Sequence, residues 1–236
     1  MKIIRSHQNA TIKRLSALRQ HRRRRAAERV LVDGARETRR AIETGWPLLG
    51  FYEPIDSADQ VLPPAPQFVD DVAFIRRWAA SRKMHHGVAA SPMRKLSYGQ
   101  QSSFGVAEFA SLSRTVVDLP ACDDGLVLVL DRIEKPGNLG AVFRTADAAG
   151  VAAICLSDCL TDAMNSNAIR SSLGAVFTVP FAEGTANEIA IWLQRRGGPV
   201  MALRVEGAID LFEQDLRGKA TVVLGSESDG LANRWQ

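Results

Sequence analysis

Cysteine is scarce in this chain: Cys122, Cys155 and Cys159 are the three in 236 residues. An odd number without paired spacing excludes the disulfide framework of a small secreted domain. No second Cys or His pair follows Cys155 and Cys159, and His85 and His86 lie far upstream, adjacent to each other. A four-ligand zinc site therefore has no basis here; we expect no metal, and thiols that are buried or half-buried. No apolar run approaches the ~20 residues that span a bilayer. The start, Met1-Lys-Ile-Ile-Arg5, has neither the apolar core nor the cleavage site of a signal peptide. The expectation is a cytoplasmic protein with no membrane contact.

Glycine-rich nucleotide motifs are lacking too. Without G-x-G-x-x-G after the first strand of the second half, a dinucleotide has no pyrophosphate cradle, which disfavours a dehydrogenase. There is no P-loop, no G-x-S-x-G elbow, no glycine-rich loop of the class I methyltransferase kind, and no internal repeat.

What is present is an ordinary globular composition, 46% hydrophobic, with a formal charge of +4 and a pI near 9.2. The basic excess is concentrated. Lys13, Arg14, Arg19, Arg22, Arg23, Arg24, Arg25 and Arg29 crowd the first thirty residues, opposed there by Glu28. Such density suits RNA phosphates, with Arg22 to Arg25 as the candidate contacts. A solvated arginine-rich helix face is the alternative.

In the first half, Asn9 to Arg29 reads as one sparse helix and Val30 to Val32 as a strand broken by Asp33-Gly34. Ala35 to Glu43 reads as a helix, Leu48 to Tyr52 as a strand ended by Pro54, and the proline-rich Val61 to Gln67 as loop. Phe74 to Lys83 follows as a helix, then short strands at Gly87 to Ala90 and Gly105 to Phe109. The stretch Val117 to Asp124 suggests a boundary, giving domains 1–120 and 121–236.

The second half is clearer. Gly125 to Asp131 is a continuous apolar strand of the kind buried on both faces of a parallel sheet. A helix from Leu139 to Ala149 closes on Gly150. Ala152 to Leu156 reads as strand, Asn165 to Ser172 as helix and Val176 to Val179 as strand. Thr185 and Glu188 form a capping box for a helix running to Arg196. Val200 to Leu203 and Thr221 to Leu224 complete a doubly wound α/β sheet.

Ligands of such sheets bind beyond the carboxyl ends of the strands. Two loops stand there: Glu134-Lys-Pro-Gly-Asn-Leu-Gly140, leading to Arg144, and Gly225-Ser-Glu-Ser-Asp-Gly230. Singly, Asn138 could be a helix N-cap, Arg144 a surface arginine and Glu227 a turn residue. Together and in order they carry more. Asn138-Leu-Gly-Ala-Val-Phe-Arg144-Thr-Ala146 resembles the first signature of the SpoU-type (TrmH-like) RNA methyltransferases of the SPOUT superfamily. Leu224-Gly-Ser-Glu-Ser-Asp-Gly-Leu231 resembles the second, and Arg170-Ser-Ser-Leu-Gly-Ala-Val-Phe177 the stretch between. The resemblance runs from Gly125 onward. More weakly, Val30-Leu-Val-Asp-Gly-Ala-Arg-Glu37 resembles part of the small substrate-binding domain, similar to a ribosomal protein, that many members carry.

The resemblance implies a Rossmann-like parallel sheet of the trefoil-knot family with a smaller N-terminal α/β domain, working as a homodimer. It implies methyl transfer from S-adenosylmethionine to a ribose 2′-hydroxyl, in rRNA ahead of tRNA. Asn138, Arg144 and Glu227 map to the catalytic centre. Leu203, Leu224, Gly225, Ser226 and Gly230 map to the cofactor loops. Arginine is a poor free base, its pKa exceeding ~12, so Arg144 would hold the hydroxyl or its phosphate, with Asn138 and Glu227 fixing Arg144 and the loop. The family's third signature, which forms the knotted end, is not found before Leu231-Ala-Asn-Arg-Trp-Gln236. The expectation is a C-terminally incomplete domain. Either it is part of an active enzyme, or the chain is a catalytically inactive relative that binds RNA.

Overall fold

Two five-stranded sheets organise the chain in the computed structural model, which describes all residues except 100–103, 112–113, 121, 123, 207–208, 232–234 and 236. The first half contains β1 (Lys2–Ile4), α1 (Ala10–Ala17), α2 (His21–Ala27), β2 (Arg29–Val32), α3 (Ala35–Glu43), β3 (Leu48–Ile55), α4 (Val69–Ser81), β4 (His85–Ala89), α5 (Ala90–Leu96) and β5 (Val106–Ala110). Its sheet order is β1-β4-β3-β5-β2. The first three strands are parallel, and β5 is antiparallel to both its neighbours.

The single helix expected over Asn9 to Arg29 is two. α1 is capped by Asn9, whose side chain accepts from the Thr11 amide at 2.9 Å. It ends at Leu18, and α2 starts afresh at His21. The break is held by Arg24, which donates to the carbonyls of Leu18 (3.1 Å) and Arg19 (2.8 Å) left open there. Strand β3 continues past Pro54 to Ile55. Its pairing with β5 stops at Tyr52, so Pro54 withholds no donor from that neighbour. Helix α5 lies largely in a stretch to which the sequence pattern assigns no element, and it contains Pro92. Pro92 is in the first turn, where an amide has no intrahelical partner.

The second half runs β6 (Val127–Asp131), α6 (Pro136–Ala149), β7 (Ala153–Ser157), α7 (Ser166–Ser171), β8 (Phe181–Gly184), α8 (Ala186–Arg196), β9 (Val200–Ala202) and β10 (Thr221–Leu224). The order is β8-β7-β6-β10-β9 and every pairing is parallel. The Thr185–Glu188 capping box is formed, and Gly150 closes α6 with a left-handed φ of 66°.

The strand expected at Val176 to Val179 is not one. Ala175–Phe177 is a single 3-10 turn, and the strand begins after Pro180. The apolar run there serves packing: Phe177 lies edge-on to Trp46, whose Nε1 donates to the Phe177 carbonyl at 3.2 Å. That contact belongs to one hydrophobic core shared by both halves, including Val30, Phe51, Ile75 and Phe109 from the first and Leu139, Phe143, Ile154 and Phe177 from the second. No helix of the described residues is long and apolar enough to cross a membrane.

Candidate active site

The chain lays down β6, β7 and β8 outward in one direction, then returns to place β10 against the other side of β6. The order therefore reverses between β6 and β10, the crevice where open α/β sheets bind ligands. The loops leaving these two strands are the ones carrying Asn138 and Glu227.

Four contacts tie the loops together. Asn138 Nδ2 donates to Glu227 Oε1. Ser228 Oγ donates to Glu134 Oε1 at 3.1 Å. Arg132 donates from Nη2 to the Gly230 carbonyl at 3.3 Å and lies 3.8 Å from Asp229 Oδ2. Arg132 itself is left-handed, with a φ of 56°, a costly conformation for a side-chain-bearing residue. It follows the fully buried Asp131, whose Oδ1 accepts from Ser157 Oγ at 2.8 Å. Sequence reading passed over Arg132 and the Glu134–Ser228 bond. Their signal was position alone, directly after an apolar strand.

Asn138 is not an N-cap. That place belongs to Lys135, and Asn138 sits in the first turn of α6. Its amide holds the Glu227 carboxyl below the usual carboxylate range, helped by a backbone hydrogen bond and by Lys135. An anionic, acceptor-only Glu227 is a weak base, suited to fixing geometry. Arg144 is exposed on α6 and makes no hydrogen bond or ion pair with the described residues. The expectation that Asn138 and Glu227 hold Arg144 is therefore corrected: they hold each other.

The signature glycines have structural reasons. A Cβ on Gly140 would stand 1.9 Å from Ser171 Oγ and 2.5 Å from the Ala168 carbonyl, so this glycine lets α6 lie directly on α7. A Cβ on Gly225 would meet the Gly230 backbone at 2.1 Å. There the turn folds onto itself, with Ser226 and Gly230 exchanging both backbone hydrogen bonds at 3.2 and 3.1 Å. The buried Ser226 accepts the Asp229 amide at 3.1 Å. Leu203 and Leu224 lie half-buried at the ends of the neighbouring strands β9 and β10, with the Leu203 amide donating to Val223 at 3.0 Å.

The basic segment divides. Arg24 is buried, and besides its carbonyl contacts it donates to Asp162 Oδ2 at 2.7 Å. It ties α2 to the second half and is withdrawn from solvent, contrary to the expected RNA contact. Arg19 grips Asp33 with both terminal nitrogens at 2.6 Å and also reaches Ser166 Oγ at 2.7 Å. Arg14 and Arg29 converge on the buried Glu108. Arg22 and Arg23 are exposed, and Arg25 reaches Glu183 only at 3.9 Å. Burial pushes the Cys155 and Cys159 thiols up to about 12, as suits packing groups.

Residues 125–236 match the model of the SpoU rRNA methylase family. It is through this half that the chain resembles the SpoU-type methyltransferases. It is 26% identical over 97% of its length to a 23S rRNA (uridine-2′-O)-methyltransferase of Streptomyces viridochromogenes, covering 78% of that protein. It is 32% identical over 62% of its length to a 23S rRNA (guanosine-2′-O)-methyltransferase of Xanthomonas axonopodis, of which it spans 55%. Its fold matches the AdoMet-bound rRNA methyltransferase from Sinorhizobium meliloti with a TM-score of 0.81, at 24% identity, covering 98% of this chain and 83% of that one.

Proposed function

We propose that this chain methylates a ribose 2′-hydroxyl of rRNA, using S-adenosylmethionine. The carrying observation is the Asn138–Glu227 hydrogen bond at the switch point, joining two signature loops 89 positions apart. The relatives, named as methyltransferases of 23S rRNA ribose, support the same chemistry.

The site fits the cofactor. Leu203 and Leu224 offer adjoining apolar surface for an adenosine, and the Gly225–Gly230 turn is already folded by its own backbone bonds. When bound, S-adenosylmethionine supplies a methyl group already activated on a sulfonium. The chain's part is then alignment. Gly225, Ser226 and Gly230 shape the loop, Asn138 and Glu227 fix its distance from α6, and Arg144 is free to hold the hydroxyl or the neighbouring phosphate as negative charge develops.

In this reading residues 1–120 form the RNA substrate domain, with Arg22, Arg23 and Arg25 on phosphates. Residues 121–236 form the transfer domain, and the unit is a cytoplasmic homodimer. Incubation with labelled S-adenosylmethionine and rRNA tests it. The product is expected to be a 2′-O-methylated nucleotide resistant to alkali, lost in Arg144→Ala. RNA binding with no cofactor affinity and no transfer would instead mark a non-catalytic RNA-binding chain.

A further inference from the structure

Tyr98 stands where the two halves meet, and its surroundings are unlike those of the other aromatic side chains. The residue is 39% exposed. Two guanidinium groups lie over it, Arg19 at 6.0 Å and Arg170 at 5.9 Å from the ring centroid. They differ in how they are held. Arg19 is fixed by Asp33, Ser166 and the Leu96 carbonyl. Asp33 also accepts the Tyr98 amide at 2.9 Å, so the ring's base and Arg19 share one anchor. The Arg170 guanidinium is exposed and has no side-chain hydrogen bond or ion pair with the described residues. It interacts with the Tyr98 ring and, through charge, with Glu37, and is held less firmly than Arg19.

The spacing is informative beside a closed stack in the same molecule. Arg82 lies 3.8 Å over Trp78 and is hydrogen-bonded to Ser81 Oγ at 3.0 Å, leaving no room for a third plane. Arg170 Cζ lies 5.9 Å from the Tyr98 ring centroid, farther than the ~3.4 Å at which stacked planes touch. A small swing of Arg170 would admit one planar ring, and unpaired RNA bases stack on both aromatic and guanidinium planes. The place also suits the reaction. Arg170 is on α7, whose Asn167 Nδ2 lies 3.7 Å from where a Gly137 Cβ would be, next to Asn138. Helix α7 thus links Tyr98 to the start of the first signature helix.

We propose that Tyr98 and Arg170 form a clamp that takes one unpaired RNA base, holding a nucleotide near the one presented to Asn138 and Glu227. The proposal rests on the RNA-methyltransferase reading for its substrate, and its test separates the two. A short oligouridylate carrying one 2-aminopurine is titrated with the full chain. Wild type is expected to quench the fluorophore. Tyr98→Ala is expected to abolish the quench and weaken binding about tenfold, with S-adenosylmethionine affinity and melting temperature unchanged. Tyr98→Phe and Tyr98→Trp should restore both, and Arg170→Ala should halve the quench or more. In methylation assays Tyr98→Ala should raise KM for RNA and leave kcat near wild type. Absence of quenching by wild type, or equal quenching and equal KM in Tyr98→Ala, overturns the clamp. Quenching that follows this pattern without methyl transfer would overturn the activity and leave the clamp.

Discussion

Asn138 and Glu227 are joined side chain to side chain across 89 positions of sequence, one in the first turn of α6 and the other in the turn after β10. Neither side chain is hydrogen-bonded to Arg144. The pair acts as a brace between loops, and the arginine is left free for substrate.

Breaking the brace should therefore harm transfer more than folding. Asn138→Ala and Glu227→Ala are each expected to cut methyl transfer by ~100-fold, the order of a misplacement near 1 Å. Both groups are exposed, so stability should change by less than about 0.5 kcal/mol. Steady-state kinetics beside urea denaturation checks this. Unchanged turnover in both variants would remove the pair from the site.

The signature glycines should behave in the opposite way. Gly140→Ala places a methyl group against the Ala168 carbonyl as well as Ser171, so trimming Ser171 to alanine relieves only part of the clash. A loss of about 1–3 kcal/mol is expected, from forcing α6 off α7. Thermal unfolding of the single and double variants measures it.

Arg24 and its neighbours should separate structure from RNA affinity. Arg24→Ala leaves the largely buried Asp162 with only His21 at 3.5 Å and opens the α1–α2 junction, costing about 3 kcal/mol. Arg22→Ala and Arg23→Ala should leave stability nearly unchanged. Each should lower the salt dependence of RNA binding by about one phosphate contact. Affinities measured over a salt series would show it.

Acid should weaken the first half through Glu108. Burial opposes ionisation of this carboxyl, yet the hydrogen bonds from Arg14 and Arg29 hold it below its ordinary value of 4.5. A depressed folded-state pKa contributes stability above the unfolded value, and that contribution is lost as pH falls through the lowered one. Glu37 and Glu183 are raised by burial and act in the other direction. The informative quantity is the difference between wild type and Glu108→Gln. It should be largest near neutrality and shrink below pH 4.5 in denaturation experiments. A difference that stays flat from pH 7 to pH 3 would contradict this.

Much of the second half was legible in sequence because parallel strands buried on both faces are continuous apolar runs, and because Gly150, Thr185 and Glu188 mark helix ends. The signature loops were legible for the same reason: they follow such strands. The failures have physical causes. The run Val176 to Val179 is apolar because it packs on Trp46, and burial alone does not tell a strand from a turn. The arginines were counted as a patch, whereas Arg14, Arg19, Arg24 and Arg29 find carboxylates as distant in sequence as Glu108 and Asp162. Local density cannot show such partners. Nor could it show that Gly140 and Gly225 are required by the protein's own backbone and side chains. The boundary expected between Val117 and Asp124 includes residues 121 and 123, and the closing run includes 232–234 and 236, which lie outside the described residues.

The convergence of the two loops on one methyl donor is tested most directly by hydrogen exchange with and without S-adenosylmethionine. Peptides covering 134–140 and 224–230 should gain protection together at the same cofactor concentration, with Glu227→Ala weakening both. Protection confined to one of them, or appearing only elsewhere in the chain, would contradict the account.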